Sequence, residues 1–129
     1  MSSEANVRQA VPFFAVADID ASLRYYIEGL GFTMKNRWID GGKLRWCWIE
    51  RGGAALMLQD GVARTGVTIC FICDDALALY REFKSRGVDV KKPYVGNGMW
   101  VTSTSDPDGY RLDFESVTDA AEETEYRES

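Results

Sequence analysis

Ser105–Ser116 reads S-D-P-D-G-Y-R-L-D-F-E-S. Asp106-Pro107-Asp108-Gly109 is a strong turn signal, because proline presets one backbone angle and glycine accepts a left-handed one. Beyond the turn, polar and apolar residues alternate: Arg111, Leu112, Asp113, Phe114, Glu115. Period two specifies a strand with Leu112 and Phe114 on one face and the carboxylates of Asp113 and Glu115 together on the other. Those carboxylates meet either solvent or a pocket, and the remainder of the chain has to separate the two.

Upstream, Met99–Ser103 supplies the strand before this turn, and Gly96-Asn97-Gly98 marks the turn before that. Val88–Val90 begins a further strand. Ala76–Arg86 carries a helical stripe through Leu79 and Phe83, preceded by Asp74-Asp75 and stopped by Gly87. Val67–Cys73 is an apolar strand. The same order stands earlier in the chain. Ala10–Ala17 is a strand with Pro12 marking a start or an edge. Asp18-Ile19-Asp20 offers caps for a helix over Ala21–Gly29, and Gly31 stops it. Strands come next at Phe32–Ile39, Lys43–Ile49 and Ala54–Gln59, separated by Asp40-Gly41-Gly42 and Arg51-Gly52-Gly53. Trp38, beside the first of these turns, is expected at the surface or an interface.

The chain is thus an internal repeat with a period of about 56 residues, the spacing from Gly31 to Gly87. Each half is strand, helix, three strands: a first βαβββ module over 10–60 and a second over 67–117, in one domain. Neither half can bury much core alone, so the two are expected to pair through a joint, curved mixed sheet. The expected class is α+β. Residues 118–129 hold five acidic residues from Asp119 onward against one basic, and are expected to form a solvated or frayed acidic tail.

With 129 residues, 46% hydrophobic and 27% charged, the composition is that of an ordinary globular domain. A net charge of −5 argues against nucleic acid and anionic membranes as partners. No apolar run approaches a membrane span, and the first residues lack a signal-peptide pattern, so the expected compartment is the cytoplasm. There is no histidine, which removes the commonest metal ligand and general base. Cys70-Phe71-Ile72-Cys73 spells C-x-x-C, but residues three apart on a strand point to opposite faces and lie roughly 10 Å apart, too far for a disulfide.

Three segments resemble signatures of the vicinal oxygen chelate superfamily, which includes glyoxalase, bleomycin-resistance proteins and extradiol dioxygenases. They are VADIDASLRYYIEGLGF (16–32), CDDALALYREFKSRGVDV (73–90) and DPDGYRLDF (106–114). The resemblance implies the glyoxalase/bleomycin-resistance fold over about residues 10–117, and a homodimer with pockets at or near the subunit interface. Metal-dependent members carry ligands at four positions that align here with Val11, Met57, Thr68 and Asp113. Only Asp113 is a strong hard-cation ligand, and one carboxylate is too few. The similarity is therefore greatest to the metal-free bleomycin-resistance branch, and no cofactor is expected.

Counting back from the turn, Ser105 is expected opposite Tyr110, which places Thr102 across from Asp113 and Trp100 across from Glu115. The same count in the first half pairs Trp46 with Met57, Trp48 with Ala55 and Leu44 with Gln59. The expected ligand-binding face is Trp46, Trp48, Trp100, Phe13 and Met57, with Gln59, Thr102, Asp113 and Glu115 as polar points. Mostly apolar walls with a few placed polar groups suit a small aromatic or cationic molecule. Three functions fit these residues. The first is a metal-independent protein that sequesters such a compound, as antibiotic-resistance members do. The second is a divergent lyase, isomerase or dioxygenase using Asp113 or Glu115. The third is a structural or regulatory module whose pocket its own side chains fill. The same tryptophans would serve as plain core in the third case.

Overall fold

The computed structural model describes residues 8–64 and 66–128; most of the lead-in over 1–9, one linker residue and the last residue of the tail lie outside them. In chain order the elements are β1 (Phe13–Val16), α1 (Ile19–Leu23), a π-helical continuation (Arg24–Gly29), β2 (Thr33–Asp40), β3 (Lys43–Arg51), β4 (Ala54–Asp60), β5 (Thr68–Ile72), α2 (Ala76–Ser85), β6 (Tyr94–Gly96), β7 (Met99–Ser105) and β8 (Arg111–Val117). Both helices start at an aspartate whose side chain accepts the backbone N–H three residues on, Asp18 for α1 and Asp75 for α2. Both are followed by a glycine at positive φ, Gly31 at 78° and Gly87 at 84°. The expected strand over Val88–Val90 is reduced to a single bridge, Val90 with Thr104, and the paired strand forms later, at β6.

The repeat is reproduced in the topology. One sheet runs β1-β4-β3-β2 and the other β5-β8-β7-β6, each with its first strand parallel to its last and the rest antiparallel. The halves do not share a ladder among the described residues; β1 and β5 are edges of separate sheets. They join instead through their helix-facing sides. A single core holds Phe14, Val16, Tyr26, Leu30, Cys47, Ile49, Leu56 and Leu58 of the first half with Phe83, Tyr110, Leu112 and Phe114 of the second. Phe14 stacks on Tyr110 at 4.1 Å between ring centroids, and the Tyr110 hydroxyl donates to the Ala15 carbonyl at 2.8 Å. Tyr26 donates to the Asp106 carboxylate at 2.8 Å, and Arg51 holds Glu82 through two bonds of 2.6 and 3.0 Å. Large aromatic burial supplies the bulk of such an interface, and these polar pairs set its register.

The β7–β8 turn departs from the expected count by one residue. Asp106 and Tyr110 close it through backbone, leaving three residues, Pro107-Asp108-Gly109, in the loop. Gly109 sits at φ 90°, a conformation that a three-residue hairpin loop needs at its last position. The Asp106 carboxylate accepts the N–H groups of Asp108 and Tyr110 and holds the loop in this form. The register is therefore Ser105↔Arg111, Ser103↔Asp113 and Trp100↔Ser116. A one-residue slip exchanges the faces of a strand. Thr102 thus lies on the helix side: it is fully buried, and its hydroxyl donates to the Ala76 carbonyl at 2.8 Å. Trp100 moves to the helix side with it.

The tail is not frayed. Thr118 extends the β8 ladder onto Gly98, and Glu122 receives the N–H groups of Asn97 and Gly98. Residues 123–126 then run along the β6 edge, with Val95 and Pro93 as backbone partners. Tyr126 packs edge-on against Tyr80 of α2 and against Trp100. Its acidic composition suggests solvation, but Lys92 and Lys84 stand opposite Glu125 and Glu128, each at 3.5 Å.

Candidate functional site

Because the helix-facing sides of both sheets are spent on one core, each sheet has an open face pointing away from it. Cross-strand partners share a face, so the registers define what each open face carries. On the first sheet two rows run across all four strands: Trp38, Trp46, Gln59, Ala15, and Asn36, Trp48, Met57, Phe13. The β3–β4 loop is Gly52-Gly53, closed by Arg51 and Ala54, so the pairing is two residues from the expected count. An even shift preserves the face, and Trp46, Trp48, Met57, Gln59 and Phe13 stand together. Trp46 and Trp48 are half-buried, while Phe13 is 53% and Trp38 55% exposed. The Trp48 indole N–H donates to Glu50 at 2.7 Å, which fixes the ring and places a carboxylate at the border of the aromatic rows.

Trp38 is exposed as its place beside a turn suggests, but it also belongs to this face, which the local pattern does not indicate. It joins the row because the β2–β3 ladder bulges twice, with Lys35 of β2 left over between Met34 and Asn36 and Arg45 of β3 left over opposite Trp38 and Ile39. Each bulge inserts an unpaired residue and re-aims the side chains beyond it. Nothing in the local sequence marks either one.

The open face of the second sheet is polar. Its rows are Thr68, Arg111, Ser105, then Cys70, Asp113, Ser103, then Ile72, Glu115, Val101, Tyr94. Asp113 is engaged on both sides: Ser103 Oγ donates to it at 2.6 Å and Arg111 Nε at 2.9 Å. That hydrogen bond and its charge push the Arg111 guanidinium above its usual range. The Asp113 charge is thus already balanced within the chain, and Arg111 and Ser103, absent from the expected site, are its partners. Glu115 accepts from the Cys70 thiol at 3.1 Å. Burial first, and the Glu115 carboxylate second, push Cys70 up to about 12, so it stays protonated and is a weak nucleophile at neutral pH. Cys73 is a free thiol too, donating to the Glu115 carbonyl at 3.5 Å.

The four positions that hold metal in metal-dependent relatives do not form a donor set here. Met57 lies on the first sheet, Thr68 and Asp113 on the second, and Val11 precedes β1. No group of three or more acidic or cysteine side chains converges among the described residues. One charge-balanced carboxylate, a hydroxyl and a thioether do not suit a divalent ion.

Three clefts of the single chain stand clear of the tryptophans of these rows, although the third takes in Phe13 and Ala15 at their β1 end. One, of about 830 Å³, opens between Arg51–Ala55 and the Ile69–Asp75 stretch. A second, about 680 Å³, lies between Trp100 and the 123–127 stretch of the tail, and a third, about 380 Å³, at the β1–β5 seam. None includes Trp46, Trp48 or Asp113. The open faces are surfaces in the isolated chain, not enclosed pockets.

This fold, with its doubled βαβββ order, is that of a known superfamily. The family model described as the Glyoxalase/Bleomycin resistance protein/Dioxygenase superfamily matches residues 8–114, and the chain belongs to it. No curated protein matches the sequence. Among solved structures, a glyoxalase-related enzyme from Clostridium phytofermentans superposes with a TM-score of 0.76 at 20% identity, over 87% of this chain and 96% of that one. A bleomycin-binding protein in complex with bleomycin gives 0.71 at 24% identity, over 87% and 100%. An antibiotic-binding protein from Streptomyces sp. CB03234 gives 0.68 at 23%, over 85% and 97%. At these identities the likeness is one of fold. No helix is long and apolar enough to cross a membrane among the described residues.

Proposed function

We propose that the protein is a metal-independent binding protein that encloses a small aromatic or cationic compound against the tryptophan rows of its first sheet. One observation carries this most: Trp38, Trp46, Trp48, Met57 and Phe13 are aligned by register on one open face. Such rings stack on flat molecules and attract cations over their faces. Glu50 and Gln59 supply polar points at the border. The second sheet offers the complementary surface, with Arg111, Ser103, Ser105 and Glu115 as donors and acceptors. Since both faces point outward, a second copy of the chain closes the site, and the protein works as a homodimer. Bleomycin- and antibiotic-binding proteins among the structural neighbours support the binding role. Sequestration needs enclosure only, which agrees with a donor set that does not suit a metal and a thiol held in its protonated form.

The test is intrinsic tryptophan fluorescence, titrated with bleomycin and with flat aromatic cations such as acridines, after chelator treatment and again with added divalent metal. The expected outcome is saturable quenching that metal does not alter. Trp48→Ala should weaken it roughly 10-fold or more, as buried aromatic anchors do, with little change in thermal midpoint. A saturating response to metal alone, or turnover of the compound, would move the enzyme alternative ahead. No response to any compound would leave a non-catalytic structural module.

A further inference from the structure

Trp100 leaves the open face by register, and its new surroundings form a site of their own. It stands on the helix side of β7, partly exposed, with the Tyr126 ring 6.4 Å away at an interplanar angle of 86°. The two rings make a corner. A cleft of about 680 Å³ opens at that corner, and Glu123 and Glu125 line it with Trp100 and Tyr126. No cation stands over either ring among the described residues: Lys84 lies over Tyr80 instead, 5.4 Å from that ring's centroid. Arg127 also lines the cleft, but it makes no ion pair among the described residues.

Perpendicular aromatic faces with carboxylates at the rim are the surroundings that a weakly hydrated organic cation prefers. The ring quadrupoles attract the charge without requiring it to shed a tight water shell onto a single acceptor. A metal ion is disfavoured by the same features, since Glu123 and Glu125 are exposed and no three ligands converge among the described residues. We propose that the Trp100–Tyr126 corner, built by the C-terminal strap, is a binding site for a quaternary or alkylated ammonium group, separate from the tryptophan rows of the first sheet. The strap is then part of a site rather than a solvated end, and Glu123, which has no ion pair among the described residues, sets the sign of the charge admitted, Glu125 being shared with Lys92.

The experiment uses the full-length protein and monitors the four indole N–H signals by NMR during titration with choline. The control is 3,3-dimethyl-1-butanol, which has the same shape without the charge. The expected result is a saturable shift of the Trp100 signal with choline and at least about 5-fold less response to the neutral alcohol. Tyr126→Phe keeps the ring and loses only the hydroxyl contact to Arg81, so it should retain binding. Tyr126→Leu should weaken choline binding by a similar factor, and Glu123→Gln should weaken it too. Equal shifts with choline and the alcohol would overturn the proposal, as would no Trp100 shift, or a shift that survives Tyr126→Leu in protein whose other signals are unchanged. Movement of the Trp46 and Trp48 signals alone would likewise overturn it while leaving the first-sheet site intact, so the two sites fail independently.

Discussion

At the scale of single residues, Asp106 is a carboxylate that joins the two halves, as Glu82 does through Arg51. It accepts from the Tyr26 hydroxyl in the first half while closing the β7–β8 loop in the second. Burial, opposed by these hydrogen bonds, raises its carboxyl above the usual 3.8. The folded state therefore binds this proton more readily than the unfolded one. The stability so gained is complete below the unfolded value and is lost as pH rises through the folded value. Asp106→Asn is a close mimic: its oxygen keeps the Asp108 and Tyr110 amides, and its NH₂ donates to Tyr26. The stability of the variant relative to wild type should rise between pH 3 and pH 7 in urea titrations, with other carboxylates cancelling in the comparison. A constant difference across that range would show that the Asp106 charge has no cost in the fold.

At the scale of elements, the strap changes what the second module is. Backbone bonds to Pro93 and Val95, the Glu122 cap and the Tyr126 contacts cover the β6 edge and complete the packing around Tyr80. Covered edges do not pair with other chains. Removing residues 118–129 should cost about 2 kcal/mol in urea unfolding, from the lost aromatic pairs and hydrogen bonds. Trp100 should become more accessible to a soluble quencher. An unchanged urea midpoint would mean that the strap is bound too weakly to matter. The hairpin loops make a second point about elements. Gly52-Gly53 and Pro107-Asp108-Gly109 are both legible as turns, but their lengths are not. A difference of two residues in one leaves Trp46 and Trp48 on the expected face. A difference of one in the other moves Thr102 and Trp100 to the opposite face.

At the scale of the whole molecule, outward-facing sheets leave apolar side chains in water: Ile72 is 72% exposed, Phe13 53% and Trp38 55%. Such patches suit the second copy of the chain proposed above. Sedimentation equilibrium at micromolar concentration should give twice the 14.5 kDa chain mass. Phe13→Glu should yield a monomer that no longer quenches with aromatic ligands, because the second wall is gone. A wild-type monomer that still binds those ligands would place the whole site within one chain.

The sequence by itself determined the doubled βαβββ order, the helix starts within Asp18-Ile19-Asp20 and after Asp74-Asp75, the stops at Gly31 and Gly87, and the alternation that puts Asp113 and Glu115 opposite Leu112 and Phe114. These arise from local rules: period, turn chemistry and backbone freedom act within a few residues. Tertiary structure alone decided that Ser103 donates to Asp113, that Trp38 joins the aromatic rows, and that the acidic tail packs on α2 and β6. Each of those depends on a bulge, a loop length or a partner distant in sequence. A shift of a single residue there exchanges the two faces of a strand, and composition carries no trace of it.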